Sequence, residues 1–272
     1  MNPESYFISL FQNRFIGDDG AYIEGFVYSK DAFFENIHFK KEWMSHYQIA
    51  KKAMLVNISD AIAMNAKPKY ALLSVAMPKS ITKAQMRELA QGFRDAATQY
   101  GVEIIGGDTI SNSKLDITIT IISQTKRPIY RNGIKPGYLV AYTGELGKSH
   151  KDLKRLFNGA KLHKRSKFVD IRLRKRFVER SATKIAAMMD ISDGLVSDLG
   201  KLASQSKIGF QWIQKPLKRV GCSGEEYEIL FAFAPKKRLA ITKLAKLTRT
   251  PITIVAKASR QKYINRCKAH HF

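Results

Sequence analysis

A chain of 272 residues, 44% hydrophobic and 26% charged, has the make-up of a folded protein long enough to bury a core and divide into two domains, which excludes an intrinsically disordered chain. No run of about 18 apolar residues occurs, and the start MNPESYFISLF lacks the basic and small-residue signals of a secretory leader, so a cytoplasmic protein without a membrane span is expected. The balance of 47 Lys+Arg against 23 Asp+Glu leaves +24; a polyanion is one partner for such a charge, but no RNP, C2H2 or basic-zipper pattern accompanies it, so specific nucleic-acid recognition is not expected.

In chain order, residues 20–39 alternate as extended structure, and 45–66 form an Ala- and Met-rich helix that starts at a Ser cap and ends before Lys67-Pro68. Asp60 then sits late in a largely buried helix, where a carboxylate is costly without a partner. KYALLSVAMP (69–78) is a strand, and 82–100 carries Met86, Leu89, Ala90, Phe93, Ala97 and Tyr100 on one helical stripe. VEIIGGDT runs a strand into a Gly-Gly turn bearing Asp108, and LDITITIISQ is an alternating strand able to pair antiparallel with the others. The turn-rich stretch 127–137 links an N-terminal domain (1–126) to a C-terminal one (138–272).

The second half opens with a strand leading to Gly147-Lys148-Ser149, but Tyr142 stands where a phosphate-cradling Walker loop needs its first glycine, so an ordinary strand–turn–helix is expected. The densest basic stretch, 148–184, reads as a solvated, partly helical segment. Helices at 172–188, 193–205 and 236–247 then alternate with strands at 208–213, 227–234 and 252–258, a mixed α/β layer. Cys222 and Cys267 are far apart and outside any CxxC spacing, which reads as two plain thiols.

The acids are more telling. They gather as Asp18, Asp19 and Asp31; Asp60; Asp108; Asp190, Asp193 and Asp198; and Glu225, Glu226 and Glu228, beside small or turn-forming residues that place them at loops and helix starts. One such acid is ordinarily a cap or turn former; five clusters in a basic chain point to a shared role.

The ordered set GDDGA (17–21), SKD (29–31), VNISDAIAMNAKP (56–68), GGDT (106–109), MDISDGLVSDLG (189–200) and SGEEYEILF (223–231) resembles the thiamine-monophosphate kinase family, within the ATP-using superfamily that includes aminoimidazole ribonucleotide synthetase. The resemblance implies direct in-line transfer of the γ-phosphoryl group of ATP to thiamine monophosphate, assisted by several Mg²⁺ ions, because two polyanions must be brought together. It implies metal ligands Asp19, Asp31, Asp60, Asp108, Asp190 and Asp193; ATP contacts from Gly107, Asp108, Arg131 and Ser192; and substrate contacts from His38 and Glu225, with no covalent nucleophile. Asp198 is expected to serve the helix face or a local hydrogen bond. Lys30 stands where the family usually has Thr, which replaces an oxygen ligand by an ammonium. Ala269 falls where relatives carry an aromatic ring, a place that His270 or Phe272 is expected to fill. The implied architecture is a two-domain α+β and α/β fold: an N-terminal α+β domain whose sheet pairs across a homodimer into a barrel, and a C-terminal mixed α/β domain. The competing readings are a sister enzyme of the same superfamily and a non-catalytic, basic polyanion-binding protein.

Overall fold

The computed structural model describes residues 3–11 and 13–267; Ala269, His270 and Phe272 lie outside the described residues. The chain forms two compact units. The first is Tyr22–Pro128 with Lys151–Leu173; the second comprises the described residues up to Ala21, Ile129–His150, and those from Arg174 onward.

After a short helix α1 (Pro3–Ser9), the first sheet is built from β1 (Ala21–Ile23), β2 (Phe26–Phe34), β3 (Lys67–Pro78), β4 (Glu103–Asn112) and β5 (Asp116–Gln124), in the order β1-β2-β5-β3-β4. Val27 and Phe33 of β2 and Ile117, Ile119 and Ile121 of β5 are buried at alternate positions, the period-two pattern of a sheet covered on one face. Helix α2 (His46–Ala63) lies against that sheet, and α3 (Lys83–Tyr100) packs on α2. The ends of both helices are chemically specified. Ser45 and Thr82 each close a capping box with a glutamine three residues on, and Gly101 ends α3 in the left-handed conformation. Because α2 is enclosed from two sides it is apolar nearly all round, which is why Ala and Met dominate it.

Two expectations about this unit are corrected. The strands are not all antiparallel: β4 pairs parallel with β3, because α3 carries the chain back across the sheet, whereas β5 is antiparallel to both β2 and β3. Nor does a barrel form. The sheet is open, with β1 and β4 at its edges, and among the described residues no sheet closes on itself.

The second unit holds β6 (Leu139–Thr143), β7 (Ala187–Asp190), β8 (Gly209–Trp212), β9 (Ile229–Phe233) and β10 (Ile252–Ser259), in the order β7-β9-β6-β10-β8, each neighbouring pair antiparallel. Its helical parts are α4 (Lys148–Phe157, which passes into the first unit), α5 (Lys175–Ser181), α6 (Leu195–Ser206), α7 (Lys218–Gly221) and α8 (Arg238–Leu247). Alternation along β9 serves two layers. Leu230 and Ala232 join Leu195, Leu199 and Leu202 of α6 in one core, while Phe231 and Phe233 stack on each other, and Phe231 meets Phe177 of α5 at 5.3 Å. The helix expected at 172–188 is shorter than read: it ends near Lys184, and Ala187–Asp190 is a fully buried strand. Three apolar residues followed by an aspartate are too few to show a period that separates buried strand from buried helix.

The cysteines are likewise corrected. Cys222 and Cys267 form a disulfide with their Cα atoms 5.6 Å apart, across 45 residues of sequence that the fold brings together. Among the described residues no helix is long and apolar enough to cross a membrane.

Candidate active site

The motifs MDISDG and SGEEYE, some thirty residues apart in sequence, are zipped into one structure. Asp190 ends β7 opposite Ile229. Beyond it Ile191 N donates to Glu228 O at 2.8 Å, Tyr227 N to Ile191 O at 2.9 Å and Glu225 N to Ser192 O at 2.7 Å. This pairing requires Glu225 and Tyr227 to adopt left-handed φ values of 55° and 47°, a strained conformation for residues with a Cβ. It fixes the carbonyl of Ser192 and presents the half-buried Glu225 beside it.

Asp19 and Asp190 converge, each offering a carboxylate oxygen within 4.8 Å of the other. Asp19 is held by Arg131, whose Nη2 donates to Asp19 Oδ1 at 2.5 Å, while the Arg131 backbone N–H donates to Asp18 Oδ1 at 2.5 Å. Burial would lower the Arg131 pKa, but the charge of Asp19 beside it, with Asp190 and Asp198 further off, drives it upward. Burial raises Asp18 above the ordinary carboxylate range despite the Arg131 hydrogen bond. Asp19 Oδ2 is buried and accepts no hydrogen bond among the described residues.

Asp193 lies just before α6, ion-paired to Lys201 Nζ at 2.8 Å, and the same ammonium reaches Asp198 Oδ1 at 2.8 Å. Asp198 Oδ2 accepts the Asp193 N–H at 3.1 Å, the local hydrogen bond expected for it. Its burial pushes the pKa up to about 6, against the pull of Lys201 and with the help of Asp193.

In the first unit, Asp31 is in the middle of β2 and its N–H donates to Asn57 Oδ1 at 2.8 Å; Asn57 Nδ2 in turn donates to Ala53 O. That bridge sets Asp31 against α2 one turn before Asp60. Asp108 is exposed on edge strand β4, its Oδ1 accepting the Thr109 N–H at 2.8 Å. Asp31 and Asp108 are thus on strands rather than in loops, and Gly106-Gly107 is not a turn but a passage of β4 with φ of 152° and 149°. Lys30 points away from α2 and donates to Thr118 Oγ1 at 3.1 Å. His38 accepts the Phe34 N–H on Nδ1 at 3.0 Å, which leaves its proton on Nε2.

Gly147-Lys148-Ser149 is no phosphate loop. Gly147 N donates to Glu226 Oε1 at 2.6 Å and Ser149 Oγ to Glu225 O at 2.7 Å, so the triplet braces the SGEEYE segment. Sequence reasoning passed over Lys201 and Arg174, and gave Glu226 and Glu228 a place among the clustered acids but no individual role. The i,i+3 spacing of Asp198 and Lys201 on a helix was a readable signal; nothing in the spacing of Arg174 and Glu228 announces their contact.

Residues 17–125 match the family described as AIR synthase related protein, N-terminal domain. The fold and its acid-lined motifs therefore define a member of that ATP-using class. Across more of the chain, the Bacillus subtilis thiamine-monophosphate kinase is 33% identical over 219 residues, 74% of this chain and 67% of the relative. The Leptospira interrogans thiamine-monophosphate kinase is 30% identical over 273 residues, 89% and 87% of the two chains. Among solved structures, AaThiL complexed with AMPPCP and TMP superposes with a TM-score of 0.86 at 23% identity, covering 96% of this chain and 90% of that one. The chain belongs to the thiamine-monophosphate kinase family.

Proposed function

We infer that this protein catalyses the ATP-dependent phosphorylation of thiamine monophosphate to thiamine diphosphate. The observation that carries the reading is kinship at 30% identity sustained over 87% of a thiamine-monophosphate kinase, joined to the convergence of Asp19 and Asp190 in a chain of net charge +24.

The donor set fits magnesium: carboxylate oxygens are the hard ligands that ion takes, and while Arg131 holds Asp19 Oδ1, the buried Oδ2 accepts no hydrogen bond among the described residues. Asp19, Asp31, Asp60, Asp108, Asp190 and Asp193 would hold several Mg²⁺ ions, which when bound neutralise the phosphate charge that gathers during in-line transfer. Arg131 orients Asp19 and adds a fixed positive charge for ATP. Gly107 allows close backbone approach to phosphate oxygens, Asp108 stands beside it, and Ser192 offers a hydroxyl ahead of α6. His38, with its donor Nε2–H, and Glu225 serve the thiamine phosphate. In this reading residues 1–126 carry ATP and metal binding, 127–137 is a link, and 138–272 forms the α/β domain. An ATP-consuming reaction suits the cytoplasm.

The deciding experiment is incubation with ATP, Mg²⁺ and thiamine monophosphate, followed by chromatography. Thiamine diphosphate and ADP are expected in equal amounts, only with Mg²⁺ or Mn²⁺, and free thiamine should be phosphorylated negligibly because it lacks the accepting phosphate oxygen. ATP turnover coupled instead to selenide or a formylglycinamidine substrate would overturn the assignment.

We also propose a homodimer. Support comes from the exposed edge strand β4 and the apolar groove beside it, about 620 Å³, lined by Val75, Met86, Leu89, Phe93 and Ile105, a surface larger than an isolated exposed side chain. Light scattering should return twice the 30.8 kDa chain mass; the mass of one chain at micromolar concentration would refute it.

A further inference from the structure

The three glutamates of SGEEYE have divided labour, and one of them leads to a residue outside every motif. Glu228 is buried, and its carboxylate accepts hydrogen bonds from Arg174 Nε to Oε2 at 2.7 Å, from Arg174 Nη2 to Oε1 at 2.7 Å, and from Thr143 Oγ1 to Oε2 at 2.7 Å. Thr143 Oγ1 also accepts the Ile229 N–H at 2.8 Å. The fork-on-fork contact is the geometry in which an arginine fixes a carboxylate in direction as well as place. It is closed tightly from the third side, since a Cβ on Gly144 would lie 1.9 Å from Glu228 Oε1 and 2.5 Å from Arg174 Nη2.

What the clamp holds is the backbone of the candidate site. Glu228 O accepts from Ile191 N, and the next links are Tyr227 N to Ile191 O and Glu225 N to Ser192 O. The left-handed residues Glu225 and Tyr227 would relax without an anchor on either side. Glu226, held by Gly147 N and Ser223 Oγ at 2.6 Å each, anchors one side. Glu228 anchors the other. Arg174 is also the first residue of the second unit after the Lys151–Leu173 excursion, and at the excursion's start His150 N donates to Ser223 Oγ at 3.1 Å. Both points where the chain leaves and re-enters the unit are therefore tied to residues 223–228.

We propose that Arg174 is a positioning residue: through Glu228 it sets the backbone of Asp190–Ser192 and the presentation of Glu225, without itself touching substrate. The kinetic part of this inference rests on the kinase reading above; the structural part does not. Arg174→Lys keeps the charge but loses the fork, and the double variant Arg174→Met/Glu228→Met removes the pair without stranding a buried charge. In hydrogen exchange followed by mass spectrometry, peptides spanning 187–195 and 223–229 should exchange at least tenfold faster in both variants, while peptides of β10 keep parental protection. In the thiamine diphosphate assay kcat should fall about tenfold or more with KM for ATP within about twofold, the pattern of a misplaced site rather than a lost contact. Parental exchange at 187–195 in a folded Arg174→Lys protein, or recovery of parental exchange and kcat in the double variant, overturns the proposal. Should the parent form no thiamine diphosphate, the kinase reading fails, and the exchange data still decide the role of Arg174.

Discussion

Asp60→Asn is expected to lower kcat by roughly two to three orders of magnitude while leaving the melting temperature of the metal-free protein unchanged or raised by up to about 3 °C. The two halves of this result have separate causes. Asp60 lies in the last turn of α2 (His46–Ala63), where the unpaired carbonyls carry partial negative charge and an anion is disfavoured by about 0.3–1 kcal/mol. A residue chosen for helix stability at that place would be neutral or basic, and the last turn of α2 holds no basic residue. In its proposed role as a metal ligand, by contrast, the carboxylate would be indispensable, because an amide oxygen brings no charge to offset that of the cation. Asn57, one turn earlier, fastens β2 at Asp31 independently of Asp60. A marked fall in melting temperature with kcat retained in the folded fraction would show that Asp60 is structural.

Gly107→Ala is expected to cost about 3 kcal/mol or more, read as a drop of roughly 10 °C in melting temperature. An added Cβ would sit 1.6 Å from Leu73 O and 2.7 Å from Leu73 N, the backbone of the partner strand in the parallel β3–β4 pairing. Nothing there is a flexible side-chain tip that can move aside, so the two strands must separate at the place where Asp108 is carried. Binding of ATP should weaken with it. Gly137→Ala is the control: its φ of 88° is also left-handed, but no atom lies within 4 Å of the new methyl, so only the conformational penalty of about 1 kcal/mol remains. Equal effects of the two substitutions would show that the close strand approach at Gly107 is unimportant.

How far these residues could be read beforehand differs by element. The capped helices at 46–63 and 83–100 follow from local chemistry alone: Ser45 and Thr82 with glutamine three residues on, apolar spacing of 3.6, and Gly101 as a stop. The six ordered motifs likewise carried the family, since each demands particular residue types at particular places. Local signals stop where the partner is remote in sequence. A strand pairs with whatever the fold delivers to its edge, so the parallel β3–β4 pairing and the open sheet were decided by tertiary structure. Gly106-Gly107 looks like a turn to any reader of propensities; it is extended because Leu73 lies against it. Cys222 and Cys267 meet because residues 260–267 return beside α6, where Tyr263 Oη donates to Val196 O at 2.8 Å, and no spacing rule encodes that return. The Arg174–Glu228 clamp is of the same kind, 54 residues apart. Sequence by itself determined which residues carry charge, caps and backbone freedom, because those are properties of one residue and its near neighbours. Which carboxylate faces which cation depends on chain segments meeting in space, and only the tertiary structure decided it.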